Sequence, residues 1–238
     1  MRFRWAARTH TGRVRGNNED ALWPRPGSGE TNEILLVAVA DGMGGAAGGE
    51  IASKTAIDTA SAVGGSAAIR VQAANLAVLD EASRRPRLTG MGTTLTLAII
   101  DPNGTVDIGH VGDSRAYLRR DGDLRKVTSD HSYIGEMMAT GRLTPEEAKN
   151  HPYRSVVTRA VGLESSVEVD TTELELQAGD RLLLCSDGLS SMVDDGAIAE
   201  ILDDRDDPAE AARALVEAAN AAGGDDNITV VIVDADDE

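Results

Sequence analysis

Residues 33–45, EILLVAVADGMGG, run from an apolar segment directly into the pair Asp41-Gly42. The apolar residues 34–40 predict a strand that is buried on both faces. A carboxylate at the end of a buried strand is costly unless it is paired or binds a cation. The glycine that follows permits a sharp turn and leaves carbonyl oxygens accessible. The stretch therefore predicts a central strand with a polar site at its end.

The same arrangement recurs elsewhere in the chain. Three further aspartates lie at the ends of apolar runs, namely Asp187 after residues 182–185, Asp113 after residues 106–111 and Asp226 before residues 228–233. A single Asp-Gly pair is more often a turn than a ligand, but turns alone do not readily explain four such positions. Oxygen ligands without His or Cys suit Mg²⁺ or Mn²⁺ and disfavour zinc. The pattern indicates a cation site.

The order of the elements predicts the fold class. Apolar patterning predicts strands at residues 33–40, 93–100, 106–111, 116–119, 167–172, 181–185 and 228–233, and helices at 51–62, 67–84, from 144 and from 207 to about 222. Strands that form hairpins, with helices in pairs between them, favour an α+β fold with mainly antiparallel sheets. Residues 23–30 are predicted to be a Pro/Gly loop. We expect one domain over 1–238, with a short acidic tail, 234–238, that frays.

Composition restricts the partners. The 238 residues contain 23 Lys+Arg and 40 Asp+Glu, for a net charge of −17. Such a surface repels nucleic acid and anionic membranes, and no apolar run approaches the roughly 20 residues of a membrane span. A lone cysteine, Cys185, excludes an internal disulfide. The predicted protein is a cytoplasmic monomer that binds neither nucleic acid nor membrane.

Arg15 supplies a charge opposite to that of the aspartates. It lies in residues 12–20, GRVRGNNED, close in sequence to Asp20. A guanidinium can bind a phosphate through two parallel hydrogen bonds. The alternative is a surface or ion-paired arginine, and this alternative is preferred for the neighbouring Arg13.

Taken together, the motifs resemble one family. The segments are VRGNNED (14–20), ADGMGG (40–45), GTT (92–94), VGDSR (111–115), SDGL (186–189) and DDNIT (225–229). In this order they resemble the PPM/PP2C-type metal-dependent Ser/Thr protein phosphatases in their compact bacterial form. Each motif alone is weak, whereas the ordered set spans residues 10–233. The resemblance implies a sandwich of two antiparallel β-sheets, flanked on each side by paired antiparallel α-helices.

The resemblance also implies roles by position. The implied ligands of two Mn²⁺ or Mg²⁺ ions are Asp41, Asp187, Asp226 and the Gly42 carbonyl, with Asp20 as a water-mediated or outer partner and Arg15 as the phosphate clamp. Asp113 matches a position that, with Asp187, holds a third, weaker metal, and Ser155 is a candidate neighbour of that site. Residues 133–157 correspond to a flap beside the active site.

The implied reaction needs no nucleophilic side chain. Two cations about 3.5–4 Å apart share a water and lower its pKa, and the resulting hydroxide attacks phosphorus in line. The expected substrates are proteins carrying phosphoserine or phosphothreonine, including Ser/Thr kinases or the substrates of those kinases. We favour the branch of the family that reverses Ser/Thr kinase signalling over relatives that act on anti-sigma-factor antagonists. Those relatives usually depart from the sequence patterns seen here at residues 15–20 and in the flap.

The chain departs from the family at two positions that often carry histidine. Ala46-Ala47 occupy the stretch after Gly-Met-Gly-Gly, and Met43 follows Asp41-Gly42. The leaving serine or threonine oxygen needs a proton, and without these histidines the identity of the general acid stays undecided. The candidates are His110, which fits a structural role better, His131, His151 in the flap, and a metal-bound water.

Two other functions fit parts of the sequence. Residues 42–47, GMGGAA, match a dinucleotide-binding fingerprint, but Asp41 would place a negative charge beside the pyrophosphate. No strand ending in Asp or Glu follows about 20 residues later, which also argues against a Rossmann unit. A catalytically weak binding or regulatory module of the same fold is the second alternative. The presence of every ligand aspartate argues against it.

Overall fold

Two antiparallel sheets form the centre of the computed structural model, which describes residues 1–149 and 151–237. The strands are β1 Arg2–His10, β2 Asp20–Trp23, β3 Gly27–Thr31, β4 Leu35–Met43, β5 Gly92–Thr93, β6 Leu95–Ile100, β7 Thr105–Val111, β8 Arg115–Arg120, β9 Asp123–Lys126, β10 Asp170–Glu175, β11 Arg181–Cys185 and β12 Ile228–Asp236. Sheet A has the strand order β3-β1-β12-β11-β8-β9, and sheet B has the order β10-β7-β6-β4-β2, with β5 beside β4.

The longer helices cover the outer faces of the two sheets. They are α1 Ala46–Ala62, α2 Ala67–Arg84, α3 Tyr133–Ala139, α4 Pro145–Lys149, α5 Asp187–Ser190, α6 Asp195–Asp203 and α7 Pro208–Ala221, with a 3₁₀ turn at Pro86–Leu88. Helices α1 and α2 pack on sheet B, and α6 and α7 pack on sheet A. The predicted α+β sandwich is confirmed. No helix in the described ranges is long and apolar enough to cross a bilayer.

Local sequence explains where the longer helices begin and end. The Ser66 side chain accepts the Ile69 N–H at the start of α2, and Asp207 caps α7, with Pro208 at its first position. Both glycines after α7, Gly223 and Gly224, have positive φ, which ends the helix as predicted. The capping box at residue 144 is also confirmed, because Thr144 Oγ1 accepts the Glu147 N–H at 3.3 Å.

Hydrophobic burial between the sheets holds the sandwich together. Leu184 of β11 and Val37 of β4 are fully buried there, together with Phe3 of β1. The flanking clusters are rich in alanine. Ala52 and Ala56 of α1 are fully buried against sheet B. Small side chains let the helices approach the sheets closely, which compensates for a chain with only 3% aromatic residues.

The antiparallel pairing brings the predicted site residues to one end of the sandwich. In sheet B, Asp20 at the start of β2 pairs directly with Asp41 near the end of β4. In sheet A, the end of β11 at Cys185 lies beside Val230 near the start of β12. The turns that carry Asp187 and Asp226 therefore open at that same end.

Two strands of sheet A, β3 at its edge and β1 next to it, differ from the prediction. The expected loop at residues 23–30 contains β3, and the charged N-terminal segment forms β1 between β3 and β12. Strand β3 is almost entirely exposed and has no apolar pattern, so its backbone pairing with β1 defines it. Gly29 of β3 lies against the Trp5 ring, where a Cβ atom would come within 2.9 Å.

The C-terminal tail and β10, an edge strand of sheet B, also differ from the prediction. Strand β12 continues to Asp236, so residues 234–236 are not frayed, whereas Glu238 lies outside the described residues. Asp234 is held there by a buried ion pair with Arg181, with 2.5 Å between Oδ1 and Nε. Strand β10 begins at Asp170, three residues after the predicted start at 167. Within the predicted flap, 133–157, Asn150 lies outside the described residues.

Truncating Leu184 to alanine is expected to lower the free energy of unfolding by about 3 kcal/mol, because the side chain is fully buried between the sheets. Leu76→Ala is the matched control, since Leu76 lies on α2 and is 57% exposed. The control is expected to change stability by less than about 0.5 kcal/mol. Urea unfolding of both variants measures the difference, and equal effects would contradict the proposed core.

Candidate functional site

Carboxylates from both sheets meet at one end of the sandwich. Asp41 of β4 and Asp187 of α5 approach within hydrogen-bonding range of each other. The Ser186 hydroxyl donates to Asp20 Oδ2 at 2.8 Å, which connects the end of sheet A to the edge of sheet B. Asp113, in the turn after β7, contributes its charge to the same cluster.

Burial perturbs these carboxyl groups strongly. It raises the pKa of Asp20 to about 7, and the charges of Asp187 and Asp226 add to the rise. Burial and the charge of Asp187 raise the pKa of Asp113 to about 7. The pKa of Asp41 lies well above its usual range for the same two reasons, burial first and neighbouring carboxylates second. Ionising several buried carboxyl groups in one cluster is costly, and a divalent cation that neutralises them removes this cost.

Two carboxylate oxygens in the cluster lack partners. Asp20 Oδ1 and Asp187 Oδ1 are buried without a hydrogen bond within the described residues. An anionic oxygen enclosed in this way is costly unless a cation binds it. Nevertheless, no three His, Cys, Asp or Glu side chains among the described residues surround one common point. Asp41 and Asp187 approach each other as a pair instead, and a cation that binds them must displace any proton between them.

The cluster depends on glycines where backbones approach closely. A Cβ atom on Gly42 would lie 2.1 Å from the Gly49 carbonyl oxygen. One on Gly188 would lie 2.0 Å from the Asn227 carbonyl oxygen. Both contacts are too short for any side chain, so the Asp-Gly pairs are required by packing. The Gly42 carbonyl oxygen, a predicted metal ligand, faces Gly49, where an added Cβ atom would lie 2.8 Å from it.

Arg15 lies at the open side of the cluster. Its Nη2 donates to Asp226 Oδ2 at 2.6 Å, and the Asn227 N–H donates to Asp226 Oδ1 at 2.8 Å. About half of the Arg15 side chain is exposed, so the guanidinium can reach a ligand from solvent. Arg13 is also exposed, and its backbone N–H donates to the Gly224 carbonyl. The structure thus brings Arg15 and Asp226 together in an ion pair, and the phosphate-binding role of Arg15 stays a prediction.

Three residues organise the site without having been singled out from the sequence. Ser186 binds Asp20, and Asn227 accepts the Glu19 N–H at 2.7 Å. Thr94 Oγ1 accepts the Asp41 N–H at 2.9 Å, which holds the end of β4. Each of them is adjacent to a predicted aspartate or lies within a quoted motif, and this adjacency is the signal that could have identified them.

The histidines that were candidates for the general acid lie in different environments. His110 is 1% exposed, with Nδ1 on Thr96 and Nε2 on the Ser129 carbonyl, and burial lowers its pKa to about 4. His131 is also buried and has both nitrogens engaged. Only His151 of these three lies in the flap, beside the rings of Tyr133 and Tyr153.

Two of the cavities in the described structure differ in their distance from the carboxylate cluster. One of about 370 Å³ lies at the opposite end of sheet A, between arginine-aspartate pairs such as Arg181 and Asp234. The other, about 220 Å³, borders Asp20 and extends between β2 and α1 to Arg25 and Lys54. The larger one is remote from the carboxylate cluster, so size alone does not mark the reactive site.

A family model and individual relatives of this chain agree with one another. The family model described as Protein phosphatase 2C matches residues 13–226. The chain is 43% identical to the serine/threonine protein phosphatase PstP of Mycobacterium tuberculosis over 99% of its length, but spans only 45% of that protein. It is 40% identical to the serine/threonine phosphatase stp of Listeria monocytogenes, covering 96% of this chain and 94% of that protein.

A solved structure shares the same architecture. It is the catalytic domain of the serine/threonine protein phosphatase PstP in complex with two manganese ions. The TM-score is 0.87 at 39% sequence identity, and the alignment covers 100% of each chain.

Proposed function

This chain belongs to the protein phosphatase 2C family, and from that premise we propose that it hydrolyses phosphoserine and phosphothreonine on proteins in a metal-dependent reaction. The observation that supports this most strongly is the cluster of buried carboxylates in which Asp20 Oδ1 and Asp187 Oδ1 have no described partner. Their environment suits a hard divalent cation better than any side chain that the described chain places nearby.

The proposed metal-binding residues are those expected from the sequence. They are Asp41, Asp187, Asp226 and the Gly42 carbonyl for two Mn²⁺ or Mg²⁺ ions, Asp20 through water or directly, and Asp113 with Asp187 for a third, weaker ion. When bound, such ions activate water and neutralise charge on the phosphoryl oxygens. The related PstP catalytic domain with two manganese ions supports Mn²⁺.

The chain's own groups would then bind and orient the phosphate. Arg15 offers two parallel N–H donors to phosphoryl oxygens once its partner Asp226 engages a cation. The Asn227 N–H orients Asp226, and Ser186 orients Asp20, which limits reorganisation when the phosphate binds. The described structure assigns no general acid, and His151 in the flap remains a candidate for protonating the leaving oxygen.

Arg15→Ala is expected to lower kcat/KM for a phosphopeptide by about 10- to 100-fold. This factor corresponds to the free energy of one lost charge-assisted hydrogen bond. Arg15→Lys keeps the charge without the planar pair of donors and is expected to recover part of the loss. Arg13→Ala is the matched control and is expected to stay within about twofold of wild type. An equal loss in both alanine variants would point to a general charge effect and contradict the clamp.

The partners and the location follow from this activity. The proposed substrates include Ser/Thr kinases or the proteins that they phosphorylate, and the proposed site of action is the cytoplasm, where a buried thiol such as Cys185 stays reduced. We propose a monomer for the described chain.

The substrate class can be tested with three matched peptides carrying phosphoserine, phosphothreonine or phosphotyrosine. Phosphate release in Mn²⁺ is expected from the first two, with the third slower by at least about tenfold, because an aryl ester holds its phosphorus farther from the backbone. Hydrolysis of the phosphotyrosine peptide alone would contradict the proposed substrate class.

A further inference from the structure

The smaller cavity, of about 220 Å³, follows the open edge of β2 away from the carboxylate cluster. Strand β2, Asp20–Trp23, is the last strand in the order of sheet B, and β4 is its only neighbour among the described strands. All four residues of β2 line the cavity. Because neighbouring side chains of a strand point to opposite faces, a cavity lined by consecutive residues lies along the edge of the strand.

The backbone at this edge has hydrogen-bonding groups that β4 does not use. The Asp41 N–H donates to Thr94 Oγ1 and the Asp41 carbonyl accepts the Thr94 N–H, so both groups point away from β2. Asp20, the partner of Asp41, therefore also points its backbone groups outward, and its N–H donates to Asn18 Oδ1 at 3.1 Å. Since the direction alternates along an antiparallel strand, the N–H and C=O of Leu22 point to the open edge as well.

Helix α1 forms the opposite wall of the cavity. The spacing of its lining residues places them on one side of the helix, and they are Glu50, Lys54, Ile57 and Asp58. Gly49 packs against Gly42, so Glu50 is the member of this wall that lies nearest the carboxylate cluster. The cavity is thus a groove between a strand edge and a helix, and it leads away from the proposed reaction site.

The shape of this groove suits an extended chain. Its volume of about 220 Å³ is below the roughly 300–1,000 Å³ of pockets that hold compact small molecules. An open strand edge binds an extended peptide as an additional strand, in which main-chain hydrogen bonds supply affinity and side-chain contacts supply specificity.

The charged side chains along the groove differ in their pairing. Lys54 pairs with Asp58, with 3.0 Å between Nζ and Oδ2. Arg25 is exposed and forms no hydrogen bond or ion pair within the described residues. It follows the end of β2, so it lies at the end of the groove that is remote from Asp20. A guanidinium in this position can bind a carboxylate through two parallel hydrogen bonds.

We propose that the groove between β2 and α1 binds the substrate segment on one side of the phosphorylated residue as a strand added to β2, and that Arg25 selects an acidic side chain in that segment. The occupant is the substrate because the groove begins at Asp20, within the carboxylate cluster. At about 3.3 Å per residue, the path to Arg25 places the acidic residue about four or five positions from the phosphorylated one. This inference rests on the proposed function, because it assumes a phosphorylated protein as the substrate.

Phosphothreonine peptides that differ in one aspartate test the selection by Arg25. The aspartate is placed about four or five positions away on the N-terminal side, or at that distance on the C-terminal side, and an alanine peptide is the reference. In Mn²⁺ the wild-type protein is expected to favour aspartate on one side only, by about fivefold in kcat/KM. The gain is expected mainly in KM, because a remote contact stabilises the bound substrate and the transition state alike.

Arg25→Glu is expected to abolish the preference for aspartate and to create a preference for lysine at the same peptide position. Arg125→Glu is the matched control, since Arg125 is also exposed but lies on β9 of sheet A, and it should keep the wild-type preference. Hydrolysis of p-nitrophenyl phosphate, which has no flanking chain, is expected to stay within about twofold of wild type in both variants.

N-methylation of the peptide tests the pairing with β2. Each N-methyl group removes one N–H donor, and only alternate residues of an added strand point their N–H toward its neighbour. Between the phosphothreonine and the favoured aspartate, N-methylation is therefore expected to lower kcat/KM about fivefold at one of two adjacent positions and to have little effect at the other.

Equal hydrolysis of the aspartate and alanine peptides by the wild-type protein, on both sides, would overturn the proposal. Equal effects of Arg25→Glu and Arg125→Glu, or equal effects of N-methylation at adjacent positions, would overturn it as well. If folded protein with Mn²⁺ hydrolyses neither p-nitrophenyl phosphate nor any peptide, the proposed function is refuted too. Metal-dependent hydrolysis of all peptides without selectivity refutes the groove alone.

Discussion

Replacing Asp187 with asparagine is expected to lower phosphatase activity about 1,000-fold while making the metal-free protein more stable. The loss follows because Asp187 is a proposed ligand shared by the metal sites, and metal-ion catalysis contributes several kcal/mol, at about 1.4 kcal/mol per factor of ten. The gain in stability follows because Asp187 is buried among Asp41, Asp20 and Asp226, where burial and neighbouring charges raise its pKa.

Thermal unfolding in EDTA and in Mn²⁺ measures the expected gain in stability of the metal-free Asp187→Asn variant. Wild type is expected to gain stability with Mn²⁺, and Asp187→Asn to be more stable in EDTA but to respond weakly to Mn²⁺. Asp123→Asn, at an exposed position in β9, is the matched control and should behave as wild type in both respects. A variant that loses activity and is destabilised in EDTA would show that Asp187 has a structural role instead.

The metal-free protein is expected to lose stability, on the order of several kcal/mol, as pH rises from about 4.5 to about 7.5. The pKa values of Asp20 and Asp113 are raised from 3.8 to about 7 in the folded protein. In this window the folded chain therefore holds protons that the unfolded chain has released, and the free energy of unfolding falls with increasing pH. Below about pH 4 the slope reverses, because Asp130, whose pKa is lowered by Arg115, gains a proton on unfolding.

Urea unfolding in EDTA between about pH 4.5 and 7.5 tests whether stability falls with rising pH and whether the buried carboxyl groups cause the fall. Asp113→Asn cannot titrate at this position and is expected to show a shallower slope than wild type between about pH 5 and 7.5. Saturating Mn²⁺ is expected to remove the decline, because cations displace the protons as pH rises. Stability that increases with pH in EDTA would contradict the account of the carboxylate cluster.

The parts of the structure that the sequence predicts best are those whose pattern has a direct physical cause. Strand β11 and helix α2 have the predicted boundaries, because a continuous apolar run and a Ser66 cap define them locally. The end of the sheet where the aspartates meet also follows from the sequence, since antiparallel pairing places the end of one strand beside the start of the next.

The features that the sequence did not predict depend on contacts between segments that are distant along the chain. Strand β3 is polar and exposed and exists through its pairing with β1, which was not among the predicted strands. The position of Asp170 beside His131 likewise needs the tertiary fold, because the two residues are 39 positions apart in the sequence. Ser186 could be placed next to Asp187 from sequence, but its bond to Asp20 crosses from one sheet to the other.

The most direct test of the central claim is phosphate release from a phosphothreonine peptide by the wild-type protein with Mn²⁺, with Mg²⁺ and with EDTA. Metal-dependent hydrolysis is predicted, with at least about a 100-fold loss in EDTA that added Mn²⁺ reverses. Equal hydrolysis in EDTA would contradict the assignment of the carboxylate cluster. No hydrolysis by folded protein that binds Mn²⁺ would contradict the enzymatic function and favour a binding or regulatory module of the same fold.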